Sequence, residues 1–224
     1  MSFDSLFNFF LRLDGPVFAW FEAALHPGSN GFLDFFFPLV TRLGNGGVFW
    51  ILLALALAIP KRTRKAAVVM ILALLLDVII TNGILKVLFE RPRPYDFNWA
   101  GTGWDFEYLK HVAHTESDFS FPSGHTGVSF AGALGLLLGA RPEWVSKHLR
   151  KFAWVMVALA AVIGFSRIYI GVHYATDVLG GVVVGAICAT LALLLFRLAE
   201  PLFDRLNRAL EANIAKLRAK RKKA

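Results

Sequence analysis

The stretch from Ala66 to Phe89, AAVVMILALLLDVIITNGILKVLF, decides the fold class. Its 24 residues carry charge only at Asp77 and Lys86. About 20 apolar residues are enough for a helix to cross the hydrocarbon core of a bilayer. Directly before it stand Lys61, Arg62, Arg64 and Lys65. Basic residues flanking an apolar span mark the cytoplasmic side.

Working outward, further apolar runs cover 125–140, 152–171 and 176–198, and a shorter one covers 46–60 and ends at Pro60. The chain has 224 residues, 56% of them hydrophobic, and a mean hydropathy of +0.56. That is too apolar for an ordinary soluble protein. The expected fold class is all-α: a polytopic membrane helical bundle of about six helices, forming one domain over residues 1–224. Residues 3–25 are rich in Phe and Leu but contain Arg12, Asp14 and Gly15-Pro16. This pattern suits an amphipathic helix in the interface rather than a signal peptide. Residues 31–43, short and aromatic, are then expected to cross. Gly180, Gly181 and Gly185 suit close helix–helix approach in lipid.

The formal charge of +8 is concentrated in three clusters: 61–65, 141–151 and a basic tail over 205–224. A basic tail also suits nucleic acid, but clusters bordering apolar spans favour anionic headgroups instead, and nucleic acid is not expected as a partner. With all three clusters in the cytoplasm, 66–89 runs outward, 125–140 inward, 152–171 outward and 176–198 inward. The C-terminus is then cytoplasmic. The ends carrying Lys86, Arg93, Ser123, His125, Arg167 and His173 meet at the outer face. The only long polar loop, 90–122, lies on that side; Tyr95, Trp99, Trp104 and Tyr108 suit the headgroup region. Cys188 is the sole cysteine, so an intrachain disulfide is excluded.

The residues that meet there have a common chemistry. His173 and Asp177 are four apart and would share a helix face. A carboxylate bonded to one ring nitrogen sets the tautomer and raises the basicity of the other, which a nucleophilic histidine needs. A buried polar pair joining two helices reads the same way. Pro122-Ser123-Gly124-His125 opens an apolar run, where backbone N–H groups form an anion site and glycine admits phosphate. There His125 is placed to protonate a leaving oxygen. A plain turn and cap is the alternative. Lys86, Arg93 and Arg167 either grip phosphate oxygens or snorkel to the interface. Arg91, outside that spacing, reads as snorkelling. Asp77 and Asn82 lie inside a span; Asn82 is one turn from Lys86, whereas Asp77 reads as a structural pairing group, with a proton or lipid-path role as the alternative. His111 and His114 read as solvated or substrate-gating. No Cys/His or paired-carboxylate metal site is evident.

In order and spacing these residues resemble the three-part signature of the type-2 phosphatidic acid phosphatase and vanadium haloperoxidase superfamily. Lys86, six residues, then Arg93-Pro94 matches the first part. Pro122-Ser123-Gly124-His125 matches the second. Ser166-Arg167, five residues, His173, three residues and Asp177 match the third. The resemblance implies a metal-free and cofactor-free phosphatase of the bacterial cytoplasmic membrane. In it His173 forms a phosphohistidine, Asp177 orients it, and His125 protonates the leaving group. Lys86, Arg93, Ser123, Gly124 and Arg167 hold the phosphate. Among family substrates, undecaprenyl diphosphate fits an outward-facing site. Phosphatidylglycerophosphate, phosphatidic acid and the 1-phosphate of lipid A are alternatives. A halide-oxidising enzyme and a non-catalytic lipid-phosphate binding or transport protein are readings from other classes.

Overall fold

The computed structural model describes residues 3–25, 27, 29–97, 117–140 and 147–221. Among these residues the secondary structure is helical, without strands. The elements are α1 (Phe3–Leu25), α2 (Gly31–Thr41), α3 (Val48–Ala58), α4 (Arg64–Ile80), α5 (Lys86–Phe89), α6 (Gly124–Gly139), α7 (Lys147–Tyr169) and α8 (Ala175–Arg221). A short 3-10 segment joins α2 to α3 and a π-helical turn joins α4 to α5, so the described residues form six helical rods.

Four rods are long and apolar enough to cross a membrane: Gly31–Ala58, Arg64–Phe89, Lys147–Tyr169 and Ala175–Lys216. Their outward side chains are apolar: Leu52, Leu75, Ile79, Val155, Leu179 and Val183 are all exposed. Such a surface belongs against acyl chains rather than water.

The remaining central helix, α6, packs against α4, α7 and α8. Its buried positions are mostly small: Thr126, Gly127, Ser129, Ala131, Gly132 and Gly135. Lipid supplies no hydrophobic force between helices, so close backbone approach and interhelical hydrogen bonds hold such a bundle. At the α6–α8 contact, a methyl group at Gly185 would lie 2.7 Å from the Gly127 carbonyl oxygen and 2.8 Å from the Ala131 amide nitrogen. Trp50 of α3 donates its indole N–H to Ser129 Oγ at 3.1 Å.

Three features depart from the sequence reading. The runs 31–43 and 46–60 are one bent rod, and the bend is local. Asn45 leaves the helical region (ψ 117°), and Gly46 and Gly47 take φ of 55° and 68°, the left-handed region that glycine enters without a steric cost. The 66–89 run is interrupted by the π turn Thr81–Leu85. Such turns insert a residue and re-aim the side chains beyond them. Lastly, the segment expected as a basic tail over 205–224 continues α8 as helix through Arg221, past Pro201. Glu200, Asp204, Asn207 and Glu211 recur at helical spacing along it, and the 61–65 cluster binds them. Lys65 Nζ lies 2.8 Å from Glu200, Arg64 lies 2.7 Å from both Asn207 and Glu211, and Lys61 also pairs with Glu211.

Candidate active site

The end of α5 and the starts of α6 and α8 meet at one end of the bundle. The α4–α5 rod stops at Phe89, where Glu90 takes a left-handed conformation (φ 43°, ψ 34°). Pro92 and Pro94 then prevent helix from resuming. Arg93 accordingly projects from irregular chain, back over the end of its own helix.

A cavity of about 260 Å³ opens there. Lys86, Arg93, Gly124, His125 and His173 line it, together with Asp118, Asn82 and Asp77. The bent segment closes one side with Gly44, Gly46 and Gly47. Ser123, Arg167 and Asp177 are buried beside these lining residues. The eight residues picked from the sequence, drawn from four separate segments, therefore lie at one place.

His173 is not on a helix. It occupies the turn before α8, and Asp177 stands in the first turn of that helix. The expected pairing across one helical face is instead a pairing across a helix start. Asp177 Oδ2 lies 3.5 Å from His173 Nδ1, accepts the Tyr174 backbone N–H at 2.9 Å, and accepts the Ser120 hydroxyl at 2.5 Å. Ser120 Oγ is itself 3.4 Å from His173 Nδ1. These contacts turn the other ring nitrogen, Nε2, toward the cations; it lies 3.4 Å from an Arg93 terminal nitrogen. Burial, with the charges of Arg93, Arg167 and Lys86, holds the His173 pKa well below its ordinary value. The ring is therefore neutral at physiological pH, the form that carries a lone pair.

His125 is the second residue of α6, and its Nε2 lies 2.7 Å from Asn45 Oδ1. The bend in the α2–α3 rod thus supplies its partner. Arg167, in the last turn of α7, donates to Thr41 Oγ1 at 2.9 Å. Ser123 is the N-cap residue of α6, and its hydroxyl oxygen accepts from Thr126 at 3.0 Å. A methyl group at Gly124 would stand 3.5 Å from Asn82 Oδ1 and 3.8 Å from Lys86 Nζ, so the turn lies directly against both.

Asp118 binds both Lys86 and Arg93 through its carboxylate. Burial raises its pKa, but hydrogen bonds and charge from Lys86 and Arg93 outweigh this and hold it below the usual carboxylate range. It occupies the cationic pair much as a phosphate oxygen would.

Arg91 corrects the sequence reading. It is 4% exposed and does not snorkel. Its two terminal nitrogens reach Asp177 at 2.5 Å and Asp14 at 2.8 Å, and its guanidinium stacks over Tyr174 at 3.8 Å. A buried charge is tolerated when paired in this way. Asp77 lines the cavity, and its hydrogen bond to Thr81 is long at 3.4 Å. The sequence reading gave Asp118, Asn45 and Ser120 no role at the site. Asp14 did leave a trace, as a carboxylate inside a Phe-rich segment. His111, His114, Trp99, Trp104 and Tyr108 lie outside the described residues.

Comparison with known proteins agrees with this architecture. The family model described as the PAP2 superfamily matches residues 62–200. Phosphatidylglycerophosphatase B of Bacillus subtilis is 31% identical over 185 residues, which are 82% of this chain and 73% of that protein. Undecaprenyl-diphosphatase BcrC of Bacillus subtilis is 31% identical over 195 residues, 85% of this chain and 89% of that protein. The crystal structure of Aquifex aeolicus LpxE superposes with a TM-score of 0.61 at 28% identity, over 81% of this chain and 94% of that one. Family match, identity and fold agree: the chain belongs to the PAP2 superfamily and is an integral membrane phosphatase, a hydrolase of phosphoric esters.

Proposed function

We propose that this chain removes the terminal phosphate of a lipid diphosphate, with undecaprenyl diphosphate as the substrate and undecaprenyl phosphate and inorganic phosphate as products. The observation that carries the reading is the shared cavity. Two cationic side chains and two histidines converge on a space of about 260 Å³ at the end of a bundle with an apolar exterior. A phosphate group fits that space, and its lipid tail fits the apolar surface beside it.

The chemistry follows from the geometry. His173 Nε2 attacks the terminal phosphorus; the new N–P bond forms as the bond from that phosphorus to the bridging oxygen of the departing lipid phosphate breaks. The leaving oxygen takes a proton from His125. Asp177 and Ser120, on Nδ1, hold the ring in the tautomer that presents Nε2 and stabilise the positive charge it gains. Lys86, Arg93, Arg167, Ser123 and the Gly124 backbone bind the equatorial oxygens as charge develops. Water, deprotonated by His125, then attacks phosphorus. The N–P bond breaks, and its electron pair returns to His173. Protein cations supply the electrophilic assistance, so the proposed reaction needs no metal ion.

Charge supports an orientation. The 61–65 cluster and the α8 extension bind each other at the opposite end of the bundle from His173. The positive-inside rule puts that end and the C-terminus in the cytoplasm, and the site toward the periplasm or exterior. Helix α1 packs Leu11, Phe18 and Phe21 against residues 168–174 beside the site, which suits an interfacial helix.

The test is phosphate release by purified protein in EDTA from undecaprenyl diphosphate, phosphatidylglycerophosphate, phosphatidic acid and lipid A, with His173→Ala as control. The relatives named above are equally identical and act, by their names, on two of these lipids, so the panel decides between them. Preference for undecaprenyl diphosphate, abolished by His173→Ala, supports the reading. Preference for another lipid overturns the substrate. Activity that needs added magnesium overturns the metal-free mechanism. Activity retained by His173→Ala overturns the nucleophile.

A further inference from the structure

A buried cluster behind His173 extends beyond the residues assigned above and beyond the matched span of 62–200. Asp14, on α1, is fully buried. Its Oδ1 accepts the Thr176 backbone N–H at 2.9 Å. Its Oδ2 accepts the Thr176 hydroxyl at 2.7 Å and an Arg91 terminal nitrogen at 2.8 Å. The other Arg91 terminal nitrogen donates to Asp177 at 2.5 Å and to Thr176 Oγ1 at 2.7 Å. The Thr176 N–H, the Thr176 hydroxyl and one Arg91 nitrogen all donate to Asp14, which is the pattern of an ionised carboxylate. Burial is the largest influence on the Asp14 pKa and leaves it raised above the ordinary carboxylate value, although Arg91 and Thr176 pull it down.

The charge inventory of the cluster is one cation and two anions. If Arg91 faced Asp177 alone, the pair would be neutral, and Asp177 would do little for a histidine that becomes positive on phosphorylation. Sharing Arg91 with a second carboxylate changes this. We infer that Asp14 is a positioning residue for the His173–Asp177 pair: it divides the charge of Arg91 and so leaves a net negative charge behind the nucleophile. The inference rests on the proposed nucleophilic role of His173. It gives α1 a part in catalysis, since α1 carries the balancing charge and also caps the start of α8 at Thr176.

An anchoring role alone would produce the same contacts, and charge balance separates the two. Asp14→Asn keeps the shape and removes the charge; Asp14→Asn with Arg91→Gln removes one charge of each sign and restores the net −1. Asp14 is not among the residues that line the cavity, so its effect falls on kcat. In phosphate release with EDTA, Asp14→Asn should lower kcat on the order of ten- to a hundredfold, the usual range for partners of a catalytic group, with KM within about twofold. The double variant should recover most of that loss. A double variant no more active than Asp14→Asn means an anchor only and overturns the inference, as does a single variant with unchanged kcat. If Asp14→Asn does not fold, Asp14→Glu, which keeps the charge, should hold kcat within a few-fold of the parent, and the double variant should exceed Arg91→Gln; failure of either overturns the inference. His173→Ala run in parallel keeps the readings apart: activity surviving in it sinks the nucleophile assignment whatever Asp14 does.

Discussion

Arg93 holds Asp118 twice, by its terminal nitrogen on the carboxylate and by its Nε on the Asp118 backbone carbonyl at 2.9 Å. The same carboxylate binds Lys86, so one acidic side chain satisfies two of the cations proposed to bind phosphate.

An incoming phosphate must compete with that carboxylate. Asp118→Ala should therefore strengthen product inhibition by inorganic phosphate. The expected change is about tenfold in Ki, or about 1.4 kcal/mol, the scale of a charge-assisted hydrogen bond lost to a competitor. A weaker phosphate affinity in Asp118→Ala would show instead that Asp118 orients the two cations for the substrate.

His173 has a folded-state pKa well below the ordinary histidine value of about 6.5, through burial and then the charges of Arg93, Arg167 and Lys86. The acid limb of kcat/KM governed by this group should thus lie clearly below pH 6.5. The sign for stability is also fixed. The unfolded chain protonates His173 near 6.5 and the folded chain does not, so unfolding takes up a proton. Stability is retained above that pH and falls as the pH drops below it, by up to about 1.4 kcal/mol per pH unit. His173→Asn should flatten the slope in thermal melts taken from pH 7 to pH 5.

Asn45 Oδ1 is bonded to His125 Nε2, and Asn45 is not among the residues that line the cavity. Asn45→Ala should release the ring and lower kcat about ten- to a hundredfold while leaving KM near its parent value. A rise in KM with kcat unchanged would assign Asn45 to substrate binding.

The contact of α6 with α8 depends on Gly185, where added carbon meets backbone that cannot rotate away. Gly185→Ala should destabilise by about 1–3 kcal/mol, the usual range for overpacking. Gly31→Ala meets no atom within 4 Å and should leave the melting temperature in detergent almost unchanged. Equal melting temperatures for both variants would mean that α6 and α8 can separate at little cost.

Much of the candidate site was legible because its signals are short and adjacent in sequence. Lys86 with Arg93-Pro94, the Pro-Ser-Gly-His turn, and Arg167 with His173 and Asp177 each lie within a dozen residues at or beside helix ends, and the alternation of basic clusters assigned those ends to one side. Arg91 was misread because a solitary arginine at a helix end is ambiguous locally. Its partners Asp14 and Asp177 are 77 and 86 residues away. Asn45 and His125 are 80 residues apart and meet only because two glycines bend the α2–α3 rod.

The sequence by itself determined that this chain is a bundle of membrane-crossing helices with a phosphate-binding signature, since apolar length and motif spacing are properties of the local chain. Tertiary structure alone decided which charges are paired: Asp118 on the cations, Arg91 shared between two carboxylates, Asn45 on His125. The physical reason is burial of the cations: Lys86, Arg93 and Arg91 are buried, whereas Asp118 and Asn45 are exposed and are brought to their partners by the packing of distant segments. A charged or polar side chain excluded from both water and lipid must find a partner, and the packing of distant segments, not their own sequence, determines which one is in reach.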